Sequence, residues 1–561
     1  MNDREAAAAI AGALDQAAAL AAAGRIPEAL RGLTRLVAEA PHCVEAWNRL
    51  AVLLAGRGED LKALACLERA LAIAPREPSL HANLGEIKRR AGLPEDALPH
   101  CERAVAIDAG HVAANLNLGY VLMDLGRIDA ARPHFERVLA REPGSPFAWT
   151  GLGRALLAQG EADAAVAAFE RTVAIAPADA LAHALLARAR LRRDDFAAAL
   201  VAAQRSHTLA PGMLDADCVL ADVHTQRGSA LDAERVLRPA LARHSGHAAL
   251  AYRLALSRLS QGDYREGFRL YESRVDLEVD NRIALPILPM PLWQGEDLRG
   301  KRLLVLTEQG FGDHLQFCRF VARLAKTGVN VELGCSPELE ELMASLPGCT
   351  AVHTMKAQAR ASSCDAWTFV GSLPHRLGVD ATSVAPDGPY LFADPGRRAR
   401  WRERLAALPP GRRVGLVWGG RPGHENDWRR SVPYAEFAPL AQVPGVTWIN
   451  LQHGQRAADV HTQPQVLAMG LPDSDCATFA DVAALIAEID LVITIDSAPA
   501  HLAGALGKPV WVMIPHVADW RWELARDTSP WYPSMRLYRQ SRQGDWSGVI
   551  AGILEELRKA C

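Results

Sequence analysis

Small and apolar residues in the first half of the chain recur on a fixed interval. The pairs Leu50-Ala51, Leu84-Gly85, Leu118-Gly119, Leu152-Gly153, Leu186-Ala187, Leu220-Ala221 and Leu254-Ala255 stand 34 residues apart, with Trp47 and Trp149 three positions before two of them. Ala29, Ala63, Ala97, Ala131, Ala165, Ala199 and Ala233 keep the same interval. Pro41, Pro75, Pro143, Pro177 and Pro211 form a third series, with Ala109 at the one missing place. Each interval holds two short helices and a turn, the Leu–small pair opening the first helix and the lone Ala sitting in the second, where close approach needs a minimal side chain. Neither helix pair can bury its apolar face alone, so the units must stack.

Three position classes in one register resemble the tetratricopeptide repeat (TPR) over residues 10–281, about eight repeats, degenerate near 214–281. The resemblance implies a curved superhelix whose concave groove suits an extended peptide or helix, so binding rather than chemistry is expected of it. Asn83 and Asn117 share one repeat position on the first-helix face that lines such grooves. They read either as acceptor contacts or as ordinary solvated polar positions.

The pattern changes near residue 285. Between Asp276 and Gly300 the segment LPILPMPLW has no repeat register, and its prolines suit an extended linker (282–299) that packs on the next domain through Trp293. Short β-rich runs then alternate with helical stretches: Arg302–Thr307, Asn330–Gly334, Val414–Trp418, Thr447–Leu451, Leu491–Ile495 and Val510–Ile514. That rhythm predicts parallel sheets with crossover helices, in two Rossmann-like lobes at 300–393 and 394–561. The fold class is α + α/β: an α-solenoid, then a two-lobed domain. A fragment beginning near Leu285 is expected to fold and to bind nucleotide, with an exposed solenoid-facing surface that makes it sticky.

Three strings carry candidate chemistry. Glu308-Gln309-Gly310-Phe311-Gly312-Asp313 follows the first run and opens a helix. Its glycines permit a tight turn and leave helix-start amides facing a cleft, although the third glycine of a dinucleotide fingerprint is missing. Asp496-Ser497-Ala498-Pro499-Ala500-His501 follows the Leu491–Ile495 run, where helix-start amides, a hydroxyl and the helix dipole suit a phosphate. The loop Gly419-Gly420-Arg421-Pro422-Gly423-His424-Glu425-Asn426-Asp427-Trp428-Arg429-Arg430-Ser431 gathers cations beside a strand end.

Thr307–Phe317 and Asp496–Pro509 resemble the heptosyltransferase-like, GT-B fold glycosyltransferases, over about 290–561, and Asn426–Ser431 is similar to a third string of that family. Fused to TPRs, the arrangement resembles bacterial protein glycosyltransferases, including those that modify flagellin. The resemblance implies that Asp313 is the base that takes the acceptor's proton, with His314 the second candidate. The residue types alone equally allow Asp313 to be a first-turn capping carboxylate. His501 would donate to phosphate or leaving-group oxygen. Gly310, Gly312, Asn426, Arg429, Arg430, Gln452, Asp496, Ser497 and Ala498 would hold the donor, with Arg421, Asp481, Trp520 and Arg521 beside them. Asp481 reads also as an N-cap residue, and the aromatic residues near 520 as lobe packing.

Charge and composition narrow the partners. Lys and Arg number 62 against 65 Asp and Glu, a net charge of -3, so no global basic field recruits nucleic acid. Ten cysteines show no C-x-x-C pair or metal spacing, as expected of reduced cytoplasmic thiols. The N-terminus lacks a signal-peptide pattern and no apolar run spans a bilayer, so a soluble, cytoplasmic protein is expected. Asp473-Ser474-Asp475 has the D-x-D form of metal-dependent transferases but sits in a turn-rich stretch. No metal or cofactor is expected beyond a nucleotide-activated sugar as co-substrate. The expected function is a protein glycosyltransferase whose TPR groove recruits a polypeptide, flagellin being the candidate, for sugar transfer to a side-chain hydroxyl. Two alternatives stand: a lipopolysaccharide- or glycan-type sugar transferase with a TPR adaptor, and a TPR scaffold with an inactive transferase domain.

Overall fold

The computed structural model describes residues 3–277, 283, 285–308, 310–354, 364–385, 388–422, 426–467, 469–470 and 476–560. Sixteen helices run in sequence from Asp3 to Tyr271, followed by two parallel sheets with their helices. The chain divides into two compact units, Met1–Val219 and Leu220–Cys561.

In the first unit, consecutive helices pack as pairs and the pairs stack into a TPR solenoid. Ala29, Ala63, Ala97, Ala131, Ala165 and Ala199 are all fully buried, which accounts for their interval. The proline series has its own reason. The carbonyl at five of the six grid positions accepts a hydrogen bond from the side chain six residues on: Trp47 Nε1 to Pro41 (2.9 Å), His81 Nε2 to Pro75 (3.1 Å), Asn115 Nδ2 to Ala109 (3.0 Å), Trp149 Nε1 to Pro143 (2.8 Å) and His183 Nε2 to Pro177 (3.1 Å). The device survives where proline does not. First helices end in a left-handed residue, Gly24, Gly58, Gly92, Gly126 and Gly160, and Asp194 takes that conformation (φ 56°) in the repeat that lacks the glycine.

The second unit opens with helices that continue the repeat pattern, Ala230–Arg243, Ala248–Ser260 and Tyr264–Tyr271. The first sheet contains β1 (Arg302–Leu306), β2 (Asn330–Cys335), β3 (Cys349–Thr354) and β4 (Ala366–Phe369), in the order β3-β2-β1-β4. The second contains β5 (Arg412–Val417), β6 (Val446–Asn450), β7 (Met469–Gly470), β8 (Leu491–Ile495), β9 (Val510–Ile514) and β10 (Met535–Arg539), in the order β10-β9-β8-β5-β6-β7. Every ladder in both is parallel. Strand order reverses between β1 and β4 and between β5 and β8, and crevices for ligands open at the carboxyl ends of such switch points.

The second unit begins well before the 282–299 linker expected from the sequence. Phe268 packs edge-on against Trp520, Trp531 and Phe317 at 5.9, 6.2 and 6.1 Å. Tyr264 donates to Glu523 Oε1 at 2.7 Å. Arg274, in the short 3-10 helix Glu272–Asp276, forms a two-pronged pair with Glu308 (2.8 and 3.1 Å), with both side chains almost fully buried. Trp293 of the Pro-rich segment is buried, its backbone N–H donating to the Trp367 carbonyl at 2.7 Å. The last repeat helices are thus part of the α/β core. No helix among the described residues is long and apolar enough to cross a membrane.

Candidate active site

A cleft of about 1340 Å³ lies within the second unit, lined by the loops after β1, β5, β6, β8 and β9 and by the turn Thr225–Gly228. Two short helices start at its floor: Phe311–Phe317 after β1, and Ala498–Ala505 after β8. They pack so closely that a Cβ added at Gly312 would stand 3.0 Å from His501 Cδ2 and 3.5 Å from its Nε2. The two motif strings, from different sheets, therefore meet at one point.

Asp313 is the third residue of its helix. Its Oδ2 accepts from the Gly310 amide at 3.1 Å, closing the first turn, so the capping role is present. Its Oδ1 is gripped by Arg521 Nη2. Arg521 also donates to Gln316 Oε1 (2.6 Å) and Asp519 Oδ1 (2.9 Å) and lies over the Trp520 ring at 4.5 Å. Burial pushes the Asp313 carboxyl above its usual range, while Arg521 opposes that push and favours the carboxylate. Arg521, expected only to line the site, is the partner of the candidate base. The loop that carries it is braced by Glu523, whose backbone is left-handed (φ 52°) and whose carboxylate accepts from Tyr264. His314, the second candidate base, is buried at the cleft wall edge-on to Phe311.

His501 is buried, stacked on Trp522 (5.5 Å, 24°), with Nδ1 3.0 Å from Tyr532 Oη. Burial, then the Arg521 and Arg319 charges, hold the imidazole well below its ordinary pKa, so it is neutral. Ser497 caps the Ala498–Ala505 helix in extended backbone. Its side chain makes no capping bond and sits 3.3 Å from the Ile495 carbonyl. Ser497 and Ala498 line the cleft, and amides at a helix start have no intrahelical partner. Burial and the neighbouring Asp519 push Asp496 up to about 6.

Asp427 organises the cations. This buried carboxylate accepts from Arg456 Nη2 (2.7 Å) and Ser431 Oγ (3.1 Å) and lies 3.7 Å from Arg430 Nε. Arg430 reaches the Asp496 carbonyl at 3.1 Å, tying the β5 loop to the β8 loop. Arg429 is buried over Trp428 (4.9 Å) and, like exposed Arg421 and Asn426, lines the cleft. Gln452 lines it too, but its amide is spent on backbone: Oε1 accepts from Trp418 and Gly419 (3.0 and 2.8 Å) and Nε2 donates to Gly419 and His453 carbonyls. It shapes the loop rather than offering a free amide to a nucleoside. Sequence reasoning missed Arg456, whose Nη1 is buried without a hydrogen-bond partner beside Gly419. It comes from a stretch with no motif, and its pairing to Asp427 spans 29 positions.

Other candidates are engaged in structural contacts. Asp481 completes a capping box with Thr478, pairs with Arg397 and is not among the cleft-lining residues. Trp520 touches the cleft, yet most of its ring is packed with Phe268, Tyr271 and Trp531. Asn83 and Asn117 belong to the first unit, where their Nδ2 groups donate to Asn48 Oδ1 (2.7 Å) and the Ala82 carbonyl (3.0 Å) of the preceding repeat. Those amides stitch repeats together. Gly423, His424, Glu425, Asp473 and Asp475 lie outside the described residues.

Comparison with known proteins agrees with the two architectures. Residues 14–78, 89–133, 122–189 and 218–275 match tetratricopeptide-repeat models, and 476–513 match glycosyltransferase family 9 (heptosyltransferase), a segment that contains the Asp496–His501 string. Protein FlbA of Caulobacter vibrioides is 30% identical over 321 residues, 54% of this chain and 53% of that protein. The chain thus spans about half the length of the curated relative it matches. Two solved structures show partial likeness: the APC/C hetero-tetramer Cut9-Hcn1 (20% identity, TM-score 0.37, 38% of this chain and 42% of that one), and Pseudomonas aeruginosa PilF (16%, TM-score 0.33, 37% and 94%). The repeats, the heptosyltransferase-type segment and the FlbA relative together fit a TPR-containing glycosyltransferase.

Proposed function

We propose that the chain is a cytoplasmic protein glycosyltransferase that takes a nucleotide-activated sugar and a polypeptide acceptor, with flagellin the bait of choice. The observation that carries this reading is the meeting of Gly312 with His501, which sets a carboxylate from one lobe and a helix-start anion seat from the other on a single cleft. The donor phosphate sits at the amides of Ser497 and Ala498, with Arg429, Arg430, Arg421 and Arg456 balancing its charge. The acceptor hydroxyl attacks the anomeric carbon and its proton passes to Asp313. The bond from that carbon to the phosphate oxygen breaks, and the phosphate leaves with the electron pair, stabilised by the arginines and His501. Arginine and helix-end charge supply the electrostatics in this reading, so no metal is invoked. Arg521 keeps Asp313 ionised and oriented until substrate arrives. The turn Thr225–Gly228 and Ser260, on repeat-type helices, line the same cleft and offer a polypeptide a wall to lie against.

Intact-mass analysis of proteins from cells with and without the enzyme tests the reading, since the mass difference gives the sugar and its carrier together. Cells carrying Asp313→Asn should lose the added mass, because the amide keeps the shape but accepts no proton. The expected fall in turnover is roughly 10²–10⁴-fold, with nucleotide affinity retained. A sugar gained by a glycolipid instead of a protein supports the glycan-type alternative, and no gain anywhere supports the inactive scaffold.

A further inference from the structure

A neutral imidazole has one proton, and its position decides whether the nitrogen facing the cleft donates or accepts. In His501, Nε2 is the nitrogen turned toward Gly312, and Nδ1 faces Tyr532 Oη at 3.0 Å. Tyr532 is 1% exposed, and its hydroxyl has one other hydroxyl neighbour, Tyr390 Oη at 3.3 Å. Tyr390 is itself committed. Its oxygen accepts from Arg319 Nη2 at 3.1 Å, and the Leu315 carbonyl, in the helix that bears Asp313, lies 2.6 Å away as its acceptor. Were the Tyr390 proton aimed at Tyr532 instead, the Tyr532 proton would have only His501 to go to. With the Tyr390 proton on Leu315, the Tyr532 proton has two destinations. The closer is His501 Nδ1, and the other is an oxygen already taken by Arg319. The Arg319 guanidinium also lies 4.3 Å over the Tyr532 ring, drawing electron density from the phenol and strengthening it as a donor.

We propose that Tyr532 is a positioning residue: by donating to Nδ1 it fixes His501 in the tautomer that carries its proton on Nε2, so that the group facing the cleft is a hydrogen-bond donor to an anion. This rests on the reading of the cleft as a donor-phosphate site. Burial and the two nearby arginines keep the ring neutral, so this one proton is all that His501 has to offer. The other tautomer would turn a lone pair toward the phosphate and repel it. Arg319 and Tyr390 hold Tyr532 in place, and the Tyr390 and Leu391 amides are anchored on the Ala505 carbonyl at 3.0 and 3.3 Å. The device therefore spans the first-sheet helices, the connecting segment and the second sheet's helix.

The test is imidazole nitrogen NMR on the full chain with labelled histidine, the His501 signal being identified by its absence in His501→Gln. Wild type should show Nε2 protonated and Nδ1 bare. Tyr532→Phe should lose that preference, and its affinity for inorganic pyrophosphate, read by calorimetry, should fall about tenfold, as for one lost hydrogen bond to a charged group. Tyr390→Phe leaves the Tyr532 donor in place and should keep the wild-type tautomer. A wild-type ring protonated on Nδ1 overturns the assignment, and this holds even if Tyr532→Phe fails to fold. So does a Tyr532→Phe ring with an unchanged tautomer, or a changed tautomer with unaltered pyrophosphate affinity. The tautomer belongs to the protein alone. An Nε2–H signal in a protein that transfers no sugar leaves the Tyr532 assignment standing while the transferase reading fails.

Discussion

Cutting the chain at the linker expected from the sequence should destroy the α/β domain, whereas cutting at the compact-unit boundary should not. A fragment 285–561 loses Tyr264, Phe268 and Tyr271, each at most 2% exposed, and with them the partners of Trp520, Trp531 and Phe317. Re-exposing three aromatic contacts of this kind costs about 1.5–3 kcal/mol each. Glu308 also loses Arg274. A buried carboxylate deprived of its ion-pair partner costs roughly 3–5 kcal/mol, and the 2% exposure of the Glu308 side chain leaves solvent little room to relieve it. The total, on the order of 10 kcal/mol, matches the whole stability of an ordinary domain, about 5–15 kcal/mol. Fragment 220–561 keeps all of these contacts. Both fragments should be followed by far-UV circular dichroism, tryptophan emission and urea titration. The longer should unfold in one cooperative step. The shorter should aggregate, or show red-shifted emission with no transition. A soluble 285–561 fragment with the same urea midpoint as 220–561 would show that the repeat helices only rest on the domain.

Two smaller perturbations probe the cleft itself. Asp496, held at about 6 by burial, stands about two units above an ordinary aspartate; a folded value raised in this way leaves stability intact below about pH 4 and erodes it as pH rises through 6, by on the order of 3 kcal/mol. Asp496→Asn should therefore raise the urea midpoint at pH 8 and converge with wild type below pH 4, and a pH-independent difference would remove the buried-carboxylate explanation. Gly312→Ala gains up to about 1 kcal/mol of helix propensity but places a methyl 3.0 Å from a ring that Trp522 and Tyr532 hold still; overpacking of about 1–3 kcal/mol should win, lowering both the midpoint and pyrophosphate affinity, and a stabilised variant would mean that the two helices separate freely.

How far the sequence could be read follows from how each signal is built. The solenoid is legible because one local pattern is repeated, so a lost proline at Ala109 does not hide it. The strands β1, β2, β5, β6, β8 and β9 are legible because parallel strands covered on both faces read as short continuous apolar runs; β8 and β9 are buried at every position. The sequence reading did not find β3, β4, β7 and β10: CTAVHT and MRLYR carry polar residues, AWTF has four residues and β7 has two. That Asp313, Ser497 and His501 line the cleft is legible because each follows a strand end by a few positions. The pairings of Arg456 with Asp427 and of Tyr532 with His501 are not, since they arise only across the fold.

The contacts that join the last repeat helices to the sheets are hidden from the sequence for a different reason. Repeat patterns record how a helix packs on its sequence neighbours, through positions such as Leu254 and Ala255, and those positions persist up to the sheets. What assigns Tyr264–Tyr271 to the α/β core is its other face, and there the repeat imposes nothing. A clue did exist: Tyr264, Phe268 and Tyr271 place three large aromatics on one helix, where the preceding second helix, Ala230–Arg243, has none. Their counterparts, Trp520 and Trp531, stand in a second aromatic-rich stretch with Trp522 and Tyr532. A helix of the solenoid has no use for such surface unless something apolar covers it. The covering is the loop that sets Arg521 on Asp313, so the same contacts that fix the domain boundary also hold the candidate base's partner in place.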